Sequence, residues 1–346
     1  MKKNNFVVWA NDFSENSGEG RLARNFLYKI KEYYPNSIFK IKTFHQEFLF
    51  TKNKILTPKI INKNNFFYKY ISLFYGIFYL WKNQKQKIVY LNYLPLWNFS
   101  VFLLLPSNTI LGPVTGNIYN KNIHSLDSAI RKIFFPIFFF ISIKIIFNKF
   151  KFIIFGSNNL KCLIPKKFLK YTVFNYCLFF YNNRKIKKKT IDFSFYLRKR
   201  STKSNALIIY LIKKLYDNGF NVIVSGDNFI YKNVTNFNNT PRRNLLAIFD
   251  KALISLNPGD NLYSLFLLDS LSCNQLVFFD KSLLKKKLLN KKKLLIPIDF
   301  NNFNAVYKLM TLMHKKIIMK NKTVKNHNIF FKEKDELQKK IKLLSL

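Results

Sequence analysis

The sequence predicts an α/β protein of two Rossmann-like domains facing a cleft. Three observations predict it. The chain has 346 residues and 49% hydrophobic content, enough for two cores of ordinary domain size. Short apolar runs alternate with segments of helical period in both halves, the pattern of parallel sheets covered on both faces. Between the halves, residues 160–189 dissolve into Lys, Asn and aromatic residues and end in the charge run Arg184 to Lys189. The expected division is an N-terminal domain over 1–180, a second domain over 190–325 and a C-terminal helix over 326–346 that packs back on the first domain.

The elements follow in order. Residues 6–10 (FVVWA) are a buried strand ending in a polar loop, after which Leu22, Phe26, Ile30 and Tyr33 recur at helical spacing. Residues 87–93, 109–112 and 151–156 read as further buried strands. In the second half TIDFSFYL (190–197) is a strand and the segment from Lys203 a helix closed by Gly219, followed by the strand FNVIVSGD (220–227). Thr240 is the expected N-cap of the next helix, with Pro241 at its first position. The strand ALISLNP (252–258), a helix within NLYSLFLLDSLSCN (261–274) and the strand QLVFFD (275–280) complete the series.

Composition bounds the function. Fifty-nine Lys and Arg against 17 Asp and Glu give a formal net charge of +42, which points to an anionic partner. Asn, Ile, Phe and Tyr, which share AT-rich codons with Lys, are also abundant, so base composition accounts for much of the excess. The cations are scattered, with no zinc-finger, RNP or basic-zipper pattern, and a specific nucleic-acid partner is not expected. Cys162, Cys177 and Cys273 have no paired spacing and no leader pattern opens the chain, so a reduced, cytoplasmic protein is expected. Residues 66–81 and 133–147 are aromatic and apolar, the latter too short to span a bilayer and interrupted by Pro136 and Lys144. They either cover a sheet or lie on the inner face of a membrane.

Three motifs carry chemistry. In NSGEGRLARNFL (16–27), Gly18 and Gly20 allow close backbone approach at a helix start that favours anions. Arg198 and Lys203 stand five apart between a strand and a helix, where two cations can neutralise a departing diphosphate without a metal. DNLYSLFLLDSLSCNQLVFFD (260–280) places Asn261 and Asp269 eight positions apart along a predicted helix, followed by a turn of small residues and a strand.

These motifs, in this order, resemble the GT-B glycosyltransferases, in particular the nucleotide-sugar-dependent group called family 4 or group 1. The resemblance covers most of the chain and is strongest over about 190–280. It implies retaining transfer of a sugar from a UDP- or GDP-linked donor to a saccharide or polyprenyl-linked acceptor, in assembly of cell-surface polysaccharide. Arg198 and Lys203 are its catalytic pair. Gly18, Gly20, Gly226, Asn261, Tyr263, Ser264 and Asp269 are its donor-binding residues, Asp269 through the ribose hydroxyls. Thr115, Gly116 and Asn117, in LGPVTGN, are its acceptor-side residues. The chain departs from the family at Asn261, where the first of two glutamates is expected, and at Leu262 and Ser264, where glycines are usual. No histidine ends the strand before 111–117, and His124 is expected to be solvent-exposed. His45, His314 and His327 are unclustered, no acidic pair suits a metal, and neither a metal nor another cofactor is expected. Two other classes fit the same residues: an inactive GT-B-like assembly protein, because of Asn261, and a basic protein of membrane surfaces or nucleic acid.

Overall fold

The chain is described by a computed structural model covering residues 5–15, 17–51, 54–56, 59–60, 68–116, 126–150, 153–156, 158–174, 188–197, 203–238, 240–258, 264–283 and 294–319. It divides into two compact units, one within residues 1–177 and one within 178–331. The helix expected over 326–346 lies outside the described residues, as do Cys177, His124 and His327.

In the first unit β1 (Asn5–Ala10) is buried from Phe6 to Ala10 and pairs in parallel with β2 (Ile38–Lys42) on one side and β6 (Lys87–Leu91) on the other. A continuous apolar strand is what a central position with two covered faces requires. Helix α1 (Gly18–Tyr33) crosses between β1 and β2. It buries Ala23, Phe26, Leu27 and Ile30, whereas Leu22 is only half-buried. The core stripe is therefore turned from the one expected, because Ala23 and Leu27 take positions nearest the sheet. β3 (Gln46–Thr51) runs antiparallel to β2, with Phe39 opposite Phe50, and carries the short strands β4 (Lys54–Ile55) and β5 (Lys59–Ile60). This sheet is therefore mixed rather than wholly parallel.

Helix α2 (Tyr68–Lys82) packs on β1, and Gly76 makes the approach close: a Cβ there would lie 2.1 Å from Trp9 Nε1. After α3 (Phe99–Leu104) and β7 (Ile110–Leu111), the long α4 (Leu126–Lys149) contains Pro136 and buries Phe139, Ile143 and Ile146. The strand expected over 151–156 is reduced to β8 (Ile153–Ile154), which pairs with β9 (Thr172–Val173) apart from the main sheet. A single bridge, Val114 to Phe155, ties it to the segment after β7.

The second unit is a six-stranded sheet in the order β12, β11, β10, β13, β14, β15, parallel throughout. Its elements are β10 (Ile191–Leu197), α5 (Lys203–Asp217), β11 (Val222–Gly226), β12 (Thr235–Asn238), α6 (Arg242–Phe249), β13 (Ala252–Leu256), α7 (Leu265–Ser272), β14 (Leu276–Asp280), β15 (Leu295–Ile298) and α8 (Phe303–Met319). Gly219, at φ +80°, turns the chain out of α5 as expected. The start of α6 differs from expectation. Pro241 itself is the cap residue, extended at ψ 139°, and no side chain caps this helix. Proline cannot donate, so its place just before the helix leaves one amide fewer to satisfy. Leu207, Leu211 and Leu215 of α5, Val224, Ile254 and Phe278 of the sheet, and Met310 of α8 share one core.

Candidate functional site

Ligands of parallel α/β sheets bind beyond the carboxyl ends of the strands, and both units hold hydrogen-bonded polar side chains there. In the first unit the loop Asn11–Ser17 leaves β1 and is fixed from two sides. Asn92, just past β6 and 4% exposed, accepts from the amides of Asn11 (2.9 Å) and Asp12 (3.3 Å) and donates to the carbonyls of Asp12 and Glu19. Asn11 donates through Nδ2 to the Tyr90 hydroxyl at 3.0 Å. From α1, Arg24 donates to the Phe13 carbonyl at 2.7 Å and pairs with Glu15. Ser17 caps α1 by accepting from the Gly20 amide at 2.9 Å. A Cβ on Gly20 would lie 2.2 Å from the Ser14 carbonyl oxygen, so this glycine is required by the loop's own packing.

Asn92 and Tyr93 have φ of 49° and 50°. Two consecutive non-glycine residues in the left-handed region hold stored strain at the end of the strand. Beyond them lies a cavity of about 580 Å³, lined among others by Asp12, Phe44, His45, Tyr93, Trp97 and Asn98. Thr115 exchanges backbone hydrogen bonds with Leu94 and Leu96 and bridges Pro95, which lines the same cavity. Gly116 packs against Leu160, and Asn117 is outside the described residues. Next to the loop, burial and then the charge of Asp12 raise the Glu19 carboxyl above its usual range.

In the second unit β10 and β11 end side by side. Gly226, at φ +103°, closes β11, and a Cβ there would strike the Leu197 carbonyl oxygen at 2.2 Å. Asp227 then donates its amide to Leu197 at 3.0 Å. Arg198 follows directly and lies outside the described residues, while the backbone of Lys203 opens α5. At the next strand end Asn257 is fully buried and accepts from Ser264 Oγ at 2.7 Å, and Ser264 in turn caps α7 by accepting from the Leu267 amide at 3.1 Å. Asn261 and Tyr263 lie outside the described residues, and α7 begins only at Leu265.

Asp269 is 5% exposed, and both its oxygens accept from Arg242 Nε, at 3.2 and 3.1 Å, with Oδ1 also bound by Nη2. Burial would lower the Arg242 pKa, but this carboxylate outweighs it and the net shift is upward. The carboxylate expected at a ribose is paired with a guanidinium that joins α6 to α7.

No family model matches the chain, and no curated protein matches it in sequence. Solved structures do match its architecture. Sucrose-phosphate synthase from Thermosynechococcus elongatus superposes with a TM-score of 0.59 at 9% identity, over 99% of each chain. An alpha-glucosyltransferase in complex with UDP-glucose and DNA containing an abasic site gives 0.50 at 10% identity, over 100% of each. MnaA of S. aureus in complex with UDP gives 0.50 at 12% identity, over 92% of this chain and 88% of that one. The fold is GT-B. Within the GT-B fold of this chain, Gly18 and Gly20 stand at the first strand-to-helix turn, Gly226 at the end of β11, Ser264 at the start of α7, and Thr115, followed by Gly116, bridges Pro95 of the first unit's cavity. Asn92, Arg242 and Asn257 were not expected from sequence. Their only signal there is a polar residue just beyond an apolar run or at a helix start.

Proposed function

We propose that the protein is a glycosyltransferase that takes its sugar from a nucleotide-sugar donor. The carrying observation is the second unit's parallel sheet, whose strand ends bring Leu197, Gly226 and the Asn257–Ser264 pair to one edge, with α5 starting at Lys203. The UDP-glucose and UDP complexes among its structural neighbours support a nucleotide diphosphate there. In this reading Arg198 and Lys203 stabilise the departing diphosphate, and Gly18, Gly20, Gly226, Asn261, Tyr263 and Ser264 shape the donor site. Asp269 acts through Arg242, orienting the partly exposed guanidinium. Thr115, Gly116 and Asn117 border the acceptor. Transfer is retaining and needs no metal, and the acceptor is a saccharide or lipid-linked saccharide of the cell surface. The domains are 1–180 and 190–325.

Calorimetric titration with UDP and GDP in the presence of a chelator tests the reading. Saturable binding of one nucleotide in the presence of the chelator supports it. Binding only after magnesium or manganese is added would refute the metal-free mechanism, and no binding under either condition would refute the donor site.

A further inference from the structure

Surface helices normally turn their apolar stripe inward. Here α2 has a second apolar stripe that faces solvent. Ile71, Phe74, Phe78 and Trp81 recur at helical spacing and are exposed, Phe74 at 59%, while Ile77 and Leu80 on the opposite face are buried. Helix α4 repeats the arrangement: Ile133, Phe134, Ile137 and Phe140 are exposed, and Phe139, Ile143 and Ile146 are buried. The exposed Leu103 and Leu104 of α3 join the two helices. Trp81 Nε1 donates to the Leu104 carbonyl at 2.8 Å, and Lys149 Nζ donates to the Leu103 carbonyl at 2.6 Å. Exposed apolar side chains of this kind on neighbouring helices mark an interaction site.

The rim identifies the partner. Lys82 lies over the Phe78 ring at 4.6 Å and Lys144 over Phe140 at 4.3 Å, so the ammonium groups sit against the rings they flank. Residues 68–82, 99–104 and 133–149 contain no acidic side chain. A second copy of the chain would bring lysine against lysine on a molecule of net charge +42. An anionic bilayer accepts both the rings and the lysines.

We infer that the α2–α3–α4 face docks on the surface of an anionic lipid bilayer. The aromatic and aliphatic side chains enter the headgroup boundary while the lysines meet lipid phosphates. No described helix is long and apolar enough to cross a membrane, so the association is lateral. Ser72 and Leu73 of α2 and the exposed Trp97 also line the 580 Å³ cavity. Docking therefore sets that cavity beside the bilayer, where it can take the polar head of an amphiphilic acceptor, a step that rests on the glycosyltransferase reading.

Co-sedimentation of the full chain with vesicles of phosphatidylcholine containing phosphatidylglycerol, without sugar donor, tests docking independently of catalysis. Each buried Phe contributes roughly a factor of ten to partitioning, so F74S/F78S should bind about a hundredfold more weakly and F140S about tenfold. Ile230, 86% exposed on the second unit, is the control, and I230S should bind as wild type does. K82E/K144E should weaken binding to these vesicles and leave binding to pure phosphatidylcholine unchanged. At about 1 M salt, where screening acts over about 3 Å, the ratio of wild type to F74S/F78S should persist. Equal binding of wild type and F74S/F78S, or no binding at all, would overturn the inference. So would a loss of self-association instead of vesicle binding in sedimentation velocity, since that outcome assigns the face to a second copy.

Discussion

Replacing Asn92 with Ala tests whether one side chain organises the loop that enters α1. The substitution removes the acceptor of the Asn11 amide at 2.9 Å and of the Asp12 amide at 3.3 Å, and the donor to the carbonyls of Asp12 and Glu19. The shorter two bonds contribute roughly 1 kcal/mol each and the longer two about half that. Alanine held at the φ of 49° adds about 1 kcal/mol of steric cost that asparagine tolerates better. The sum is about 4 kcal/mol. For a unit of this size that lowers the midpoint of thermal unfolding by roughly 10 °C. N92G loses the same hydrogen bonds without the Cβ penalty and should recover about 0.5–1 kcal/mol. Circular dichroism on heating, with tryptophan fluorescence following buried Trp9, measures both. A midpoint for N92A within about 2 °C of wild type would refute Asn92 as the anchor. N92G falling below N92A would refute the strain.

Three further outcomes are expected. Arg198→Ala and Lys203→Ala should each lower kcat about a hundredfold, near 3 kcal/mol, with a smaller effect on donor affinity, because the interaction strengthens as charge develops. Lys199→Ala should change little, and equal modest losses in all three would reduce the pair to a diffuse basic surface. Arg242→Ala should destabilise the second unit by about 3 kcal/mol, since it leaves Asp269 buried without its cation. Asp269→Ala should not add to that loss in the double variant, and additivity by urea unfolding would disprove the clamp. Lys189 donates to the carbonyls of Asp250 and Cys273, and burial lowers its pKa to about 8, against the raising effects of Cys273 and Asp250. Between roughly pH 8 and its ordinary value of 10.5 the unfolded chain holds this proton and the folded chain has released it. Stability from this group therefore rises with pH across that window and is flat below it. The difference in stability between wild type and Lys189→Met should move in that sense alone, and a pH-independent difference would contradict the shift.

What could be read from sequence followed from how deeply each element is buried. β1, β6, β10, β11, β13 and β14 are central or next to the centre, and in β1, β6 and β14 FVVWA, IVYL and LVFF appear as unbroken apolar runs. β2, with its half-exposed alternation around Phe39 and Ile41, and β3 are partnered at the mixed side of the first sheet. IFKIK and QEFLFT alternate buried with more exposed residues, and runs this short do not stand out by period alone. β15 contains Pro297, which a central strand does not tolerate and an edge strand does. Gly20 and Gly226 both stand where a Cβ would strike backbone, and at Gly20 the atoms it would strike belong to its own loop. The bond from Asp269 to Arg242 was not legible, because it joins residues 27 apart on two helices by a contact that no spacing rule encodes.

The same basic composition has different physical meanings at different places in this fold. At Lys82 and Lys144 the cation lies over an exposed ring, so its charge is free to meet an anionic surface. At Lys189 the ammonium binds the carbonyls that end α6 and α7, and burial works against its charge. At Lys31, 2% exposed, Nζ donates to the Ser37 carbonyl and lies within 6 Å of the Phe39 and Phe50 rings, so it is part of the first unit's core. A net charge of +42 therefore overstates the surface available to a polyanion. Weak, sequence-independent association with DNA that collapses steeply with salt is the expected behaviour. Filter binding of duplex DNA at rising salt measures it. Tight, sequence-selective binding at physiological salt would show that the scattered lysines form a nucleic-acid site after all.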